Sequence, residues 1–352
     1  MEGDLRDAGA ALRASGLVAA TFAPKDALGV INSSAFSLAQ ASHVAVACRG
    51  VLAASILAAV ANADAFGVNP RVYLPEVHAL RPLPHAVQIA SMIGHLLEGS
   101  WVVDAHTGPQ QAISFRTLVP QLASVVGAIE RFACAIETEI NGVGDNPVVL
   151  IDPHVMVSSS HFHTIDLALH GDALSLALYH WTEACVQRVQ RTINHRSDEL
   201  PSLLAHGNAA ATGMNPLQKT LGYLRGRMRH LANPASLDGL VVSDQVEDLA
   251  SQLPLVIDKL DQQVDVLERV LAIEALVAMQ CHALRSTHER GHASQVLGAV
   301  LEGLAVPFGD GVPLGPELDR MHERLGVVVA RALEEVTVCW PTSPLIGSRH
   351  SS

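Results

Sequence analysis

The sequence predicts an all-α protein made of long helices, and three observations lead there. Apolar residues make up 49% of the 352 residues while aromatics make up only 4%, so the apolar content is chiefly Ala, Leu and Val. That composition suits close-packed helices and suits sandwiches poorly. Leu249, Leu253, Val256, Leu260, Val264, Leu267 and Leu271 are spaced by fours and threes, as at a bundle seam. No proline follows Pro24 until Pro70.

Taken in order, Leu5, Ala8 and Leu12 form a first helical stripe that Gly16 can close. From Pro24, apolar positions at Ala27, Val30, Ile31, Leu38, Val44, Val51 and Leu57 predict a helix of roughly forty residues, ~60 Å at 1.5 Å per residue. The proline-rich stretch 68–87 breaks it, and Pro84 can open a second helix ending near Gly99. A third helix is expected over 120–141, closed by Gly142-Val143-Gly144-Asp145-Asn146-Pro147.

VVLIDPHVMVSSS predicts a short hairpin or an irregular loop. The next helix is expected from Ile165 to Asn194, with Thr164 as N-cap. Pro254 is expected to kink the seam helix. A loop at 309–321 and a last helix from about Glu317 to Val338 complete a single domain, with a central bundle at about 24–285 and a C-terminal helical extension at 286–352. Long helices so rich in Ala are expected to finish burying their stripes in a homo-oligomer.

A formal net charge of -12 gives nucleic acid and acidic membranes no electrostatic reason to bind. The longest apolar run, Val51–Ala61, is shorter than the ~20 residues of a bilayer span. The acidic start MEGDLRDAG lacks the order of a signal peptide. Five cysteines without a C-x-x-C pair are expected to be reduced thiols, and the expected location is the cytoplasm.

His288-Glu289-Arg290-Gly291-His292 matches H-E-x-x-H, a zinc-hydrolase pattern when it lies on a helix. Gly291 weakens such a helix, 18 histidines favour chance matches, and the sequence shows no third ligand. No metal site is expected. His161 and His163 could chelate if they alternated on a strand, but a polar loop before the next helix is the simpler reading. No G-x-S-x-G, P-loop or G-x-G-x-x-G stretch supports serine-hydrolase, NTPase or dinucleotide chemistry.

Five stretches in order, PKDALGVINSS (24–34), ALRPLPHAVQIASMIGHLLEGS (79–100), PQQAISFR (109–116), EINGVGDNPVV (139–149) and NPASLDGL (233–240), resemble the aromatic amino-acid ammonia-lyase and aminomutase family. SHFHT (160–164) resembles that family's Asn-Phe-His segment and VEDLAS (246–251) its Gln-Glu-Asp-His-x-Ser segment. The resemblance implies an all-helical fold and a tetramer whose sites each draw on three protomers.

By the same resemblance Arg116 binds a substrate carboxylate, a task that suits a planar guanidinium. Asn32 and Gln110 hydrogen-bond at the site, Phe162 packs beside the prosthetic group, and Glu247 lies near the substrate amine. His161 and His163 complete the expected substrate-binding set. Ile113 replaces a site tyrosine, Gln111 an aspartate, Val246 a glutamine and Leu249 a histidine. Ile113 cannot transfer protons.

The family's electrophile, methylideneimidazolone, forms from an Ala-Ser-Gly loop followed by Asp-Leu. Ala14-Ser15-Gly16 is followed instead by Leu17-Val18 and matches the family's Ala-Gly-Leu stretch before the Pro-Lys segment. The chain therefore looks like the family's C-terminal portion, with no prosthetic group of its own. The leading expectation is a lyase or aminomutase subunit whose electrophile comes from a partner chain. The alternatives are an enzyme using acid-base groups without the electrophile, for hydration, cyclisation or elimination, and a non-catalytic scaffold or regulator.

Overall fold

Helix α1 (Ala8–Ala14) opens the computed structural model, which describes residues 5–105, 110–195, 199–207, 212–237, 239, 241–285, 287–303, 307–309 and 312–336. The Asp7 carboxylate caps it by accepting from Ala10 N at 2.8 Å. Gly16, at φ +68°, closes it while Leu17 N donates to Leu12 O at 2.9 Å. No residue of α1 is buried, so its predicted stripe finds no full cover among the described residues.

The single helix expected from Pro24 is two, α2 (Asp26–Ile31) and α3 (Ala35–Phe66). Asn32-Ser33-Ser34 interrupts it because such side chains offer the backbone local partners that compete with the helix. Ser33 Oγ accepts from Ala35 N at 3.1 Å. Every residue of α3 from Gly50 to Phe66 is buried, which marks a helix apolar on all sides as a core helix. The run at Val51–Ala61 thus belongs to a 32-residue helix long and apolar enough to span a bilayer, yet covered by protein. Gly67, at φ +89°, ends it where a Cβ would stand 2.9 Å from the Trp101 ring.

Four helices follow: α4 (Pro75–Ala79), α5 (Ala86–Leu96), α6 (Ile113–Arg116) and α7 (Leu118–Asn141). The doubtful segment after α7 is a hairpin, β1 (Val148–Leu150) against β2 (Val155–Val157), in antiparallel register with Val149 opposite Met156. Next come α8 (Ile165–Ile193), α9 (Asn215–Leu231) and α10 (Leu253–Leu284). Thr164 precedes α8 but makes no side-chain cap, because its hydroxyl is turned to Ser251 at 3.1 Å.

Pro254 lies in the first turn of α10 and kinks nothing; its missing N–H costs least there. Leu249, read as part of the seam, lies outside the helix and is 72% exposed. Three helices close the described chain: α11 (His292–Val300), α12 (Leu314–Glu323) and α13 (Leu325–Glu335). The last two replace the one helix expected over 317–338. Their junction is anchored by Arg324, whose guanidinium donates to Val300 O at 3.2 Å.

Helices α3, α8 and α10 run in the same direction, as their cross-links show. Trp181 Nε1 donates to Ser55 Oγ at 2.8 Å, Thr192 Oγ1 to Asn62 Oδ1 at 2.8 Å, and Arg188 Nε to Glu274 Oε1 at 2.7 Å. Helix α7 runs the other way along α8. Its C-terminal Glu139 feels the charge of Asp166, while Ser114, just before its start, accepts from Arg188 Nη1 at 3.5 Å.

A second polar knot closes the far end of α3. Asp64 accepts from Gly291 N at 2.8 Å, from Ser294 Oγ at 2.6 Å and from the Ser100 hydroxyl, and His282 Nε2 lies 2.8 Å from Ser294 Oγ. Burial is what depresses the His282 pKa to about 4, against the opposing pull of Asp64.

Candidate active-site halves at the two ends of α7

The C-terminal end of α7 gathers most of the residues singled out in the sequence. Lys25 holds the loop after α7: its Nζ donates to Asp145 Oδ2 and to Pro147 O, each at 2.6 Å. Lys25 itself sits at φ +75°, just ahead of α2. Its ammonium, as hydrogen-bond donor and as charge, keeps the Asp145 carboxyl below its ordinary range. Asn32, at the end of α2, donates from Nδ2 to Asn146 O at 2.9 Å.

Asn146 passes the linkage on. Its Oδ1 accepts from Ser159 N at 2.8 Å, and Ser159 Oγ donates to Asp145 O at 3.0 Å. His161, Phe162 and His163 follow in a turn rather than a strand, so the two imidazoles do not alternate on one face. His161 and Phe162 are exposed; His163 is half-buried, with Nε2 out of solvent and without a hydrogen-bond partner among the described residues.

The Thr164–Ser251 contact ties this turn to the segment carrying Glu247, whose main-chain oxygen accepts from Val242 N at 2.9 Å. Glu247 is exposed. Glu139 lies at the same end of α7, its pKa raised by burial and then by Asp166. An open cleft of about 530 Å³ adjoins, lined by Thr21, Phe22, Lys25, Asp26, Val30 and Asp145.

Gln110 and Arg116 are elsewhere. Arg116 ends α6 and Gln110 lies in the loop before it, at the N-terminal end of α7. The 24 residues of α7 separate the two groups by roughly 36 Å at 1.5 Å per residue. Both side chains are exposed, and Arg116 meets no partner among the described residues. Beside them lies an open cleft of about 570 Å³ between α6 and α8, lined by Ile113, Gln121, His180, Glu183, Gln187 and Arg191. The position that resembles the family's tyrosine therefore faces this cleft as an isoleucine.

Ala14-Ser15-Gly16 does not fit the prosthetic group. It is the exposed end of α1, with Ser15 N donating to Ala11 O at 3.0 Å and Gly16 N to Arg13 O at 3.1 Å. A helix terminus held by these bonds is not the compressed turn that backbone cyclisation needs. The H-E-x-x-H stretch is not helical before His292, because Gly291 is extended at φ -64°, ψ 165°. His288 instead stacks on Trp101 with ring centroids 4.4 Å apart.

Sequence reasoning passed over Lys25, Asp145, Asn146 and Ser159. Lys25, Asp145 and Asn146 do stand in PKDALG and GDNP, stretches that the sequence reading quoted without giving those residues a site role. NPASLDGL, by contrast, is docked by a buried pair: Asp172, bonded to Lys259, accepts from Ser236 N at 3.0 Å, and Lys259 Nζ donates to Asn233 O at 2.9 Å.

Long parallel and antiparallel helices, with polar segments at the two ends of α7, make a helical bundle. The sequence model of the aromatic amino acid lyase family matches residues 1–304, and the chain belongs to that family. The histidine ammonia-lyase of Gloeobacter violaceus is 31% identical over 310 residues, 87% of this chain and 60% of the relative. That of Symbiobacterium thermophilum is 28% identical over 315 residues, covering 89% and 62%. The chain thus spans about three fifths of the curated relatives it matches.

Among solved structures, ergothionase from Treponema denticola superposes with a TM-score of 0.85 at 24% identity, over 92% of this chain and 65% of that one. Tyrosine aminomutase from Streptomyces globisporus gives 0.84 at 18% identity, over 93% and 66%. These likenesses establish the fold.

Proposed function

We propose that this chain is the helical body of an ammonia-lyase or aminomutase acting on an amino-acid-like substrate, and that a separate chain supplies the electrophile. The observation that carries the proposal is the division of the family-matching residues between the two ends of α7. Arg116 and Gln110 on one copy, and Asn32, His161, Phe162, His163 and Glu247 on others, form a complete site only when chains associate. The exposed apolar side chains Ile31, Phe36 and Val46, 76%, 76% and 62% accessible, supply a surface for that association.

In this reading Arg116 holds the substrate carboxylate, Gln110 and Asn32 orient it by hydrogen bonds, and Phe162 packs against its surroundings. Glu247 faces the amine. The electrophile would activate the substrate for loss of ammonia; nothing in residues 14–16 suits them to form it. Cytoplasmic location accompanies the proposal.

The test is co-expression with a chain carrying an Ala-Ser-Gly-Asp loop, followed by assay for ammonia release from histidine, phenylalanine and tyrosine. Activity of the pair, absent from either chain alone and lost with Arg116→Ala, is the expected result. A chain that assembles alone and ignores such a partner would refute it.

Glu139 favours a second reading. At the same end of α7 as the loop that Asn32 holds, its pKa, raised by burial and then by Asp166, suits a carboxyl to general acid work, as an enzyme independent of the electrophile requires. Activity of the isolated chain, abolished by Glu247→Gln, would select it. A third reading, a scaffold, predicts that Arg116→Ala changes neither activity nor ligand binding.

A further inference from the structure

We infer that His95, His292 and Glu335 form a binding site for one divalent cation of the zinc class, which fastens the end of α13 to the body of the fold. The three residues come from the end of α5, the start of α11 and the end of α13. Their ligand atoms all lie within 4.8 Å of one another. His292 Nε2 is 2.8 Å from Glu335 Oε2, and the two imidazole rings are 5.3 Å apart, centroid to centroid.

Two imidazoles and a carboxylate form a zinc-type donor set, whereas magnesium and calcium prefer oxygen alone. Tetrahedral zinc with bonds of about 2.1 Å sets its ligand atoms about 3.4 Å apart. Binding therefore widens the His292–Glu335 edge slightly and draws in His95, which is exposed. The remaining coordination position is left to water.

The surroundings support the ligands. The Glu98 carboxylate lies 3.2 Å from His95 Nδ1, a partner that orients the ring. The Glu98 carbonyl accepts from His292 N at 3.0 Å, so one short segment positions both imidazoles. Helix α13 already lies close on α3, where a Cβ at Gly50 would approach Val329 Cγ1 to 2.9 Å. A cation at its end would close the remaining corner. His288 takes no part: it stacks on Trp101, with Nε2 3.7 Å from Glu199.

The experiment titrates the untagged, chelator-stripped full-length chain with Zn²⁺ against a chromogenic chelator, and records the Co²⁺ spectrum as a measure of coordination. One equivalent should bind, with a tetrahedral Co²⁺ spectrum. Affinity should fall at least about tenfold in His95→Asn and in Glu335→Gln and stay unchanged in His288→Asn. Zn²⁺ should raise the Tm of the wild type and not that of His95→Asn, a surface substitution whose fold circular dichroism can verify. Absence of stoichiometric binding, binding that survives both ligand substitutions, a Tm indifferent to Zn²⁺, or binding lost with His288→Asn would overturn the inference.

Discussion

Arg188 and Glu274 meet in a two-point ion pair, Nε to Oε1 at 2.7 Å and Nη2 to Oε2 at 3.1 Å, with neither side chain exposed to water. Burial opposes the Arg188 charge, but Cys185 and Glu274 beside it outweigh that and hold its pKa above the ordinary value. The pair joins α8 to α10, and Asn62 Nδ2 adds α3 by donating to Glu274 Oε1 at 3.2 Å. Removing one partner strands the other charge. Glu274→Ala should therefore lower stability by about 3–5 kcal/mol in urea unfolding. Replacing both members with Met and Leu should recover much of the loss; a double variant as unstable as the single one would contradict this account.

Lys25 presents the opposite energetic case. Its ion pair with Asp145 is partly exposed, at 29% and 36% of the two side chains, so water screens it and it adds little to global stability. Its importance is positional, because the same ammonium also holds Pro147 O. Lys25→Ala should leave the urea midpoint nearly unchanged while speeding hydrogen exchange and proteolysis in 142–147. Equal protection of that loop in both proteins would show that Asn32 alone retains it.

Acid should loosen the knot around Asp64. His282 is neutral in the native state, with its pKa lowered to about 4 by burial, against an ordinary value of 6.5. Below 6.5 the unfolded imidazole takes a proton that the native one refuses. Stability therefore falls as pH drops from 6.5 towards about 4, with a slope approaching about 1.4 kcal/mol per unit. Denaturation series across that range should show the loss, and His282→Gln should flatten it. A slope unaffected by the substitution would assign the acid sensitivity to other groups.

The fold class was legible because composition and the 3.6-residue period act locally along every helix. Breaks were less so: Pro254 reads as a kink until the chain before it is seen to be non-helical, and Asn32-Ser33-Ser34 outweighs a long apolar period through short-range hydrogen bonds. The candidate site was legible only as a set of matching stretches. Arg116 precedes α7 in the chain, but nothing local says that Asn32 lies at the opposite end of that helix, since that follows from its long-range bond to Asn146. For the same reason the linear pattern of His288 and His292, set aside as a metal site, could not show that His292 meets His95 and Glu335 from distant parts of the chain.

That separation leads to a test of assembly. If sites form between copies, an Arg116→Ala chain and an Asn32→Ala chain each lack one half of every site when assembled alone. In a mixed oligomer some sites draw both intact halves from different copies. Random mixing in equal amounts should restore about a quarter of wild-type substrate-analogue binding or activity to two preparations that are individually deficient. Glutamate at Val46, an exposed position on α3, should prevent both assembly and restoration, as sedimentation and the same binding assay can show together. If the mixture stays as deficient as its parts while sedimenting as a mixed oligomer, Arg116 and Asn32 do not serve a common site.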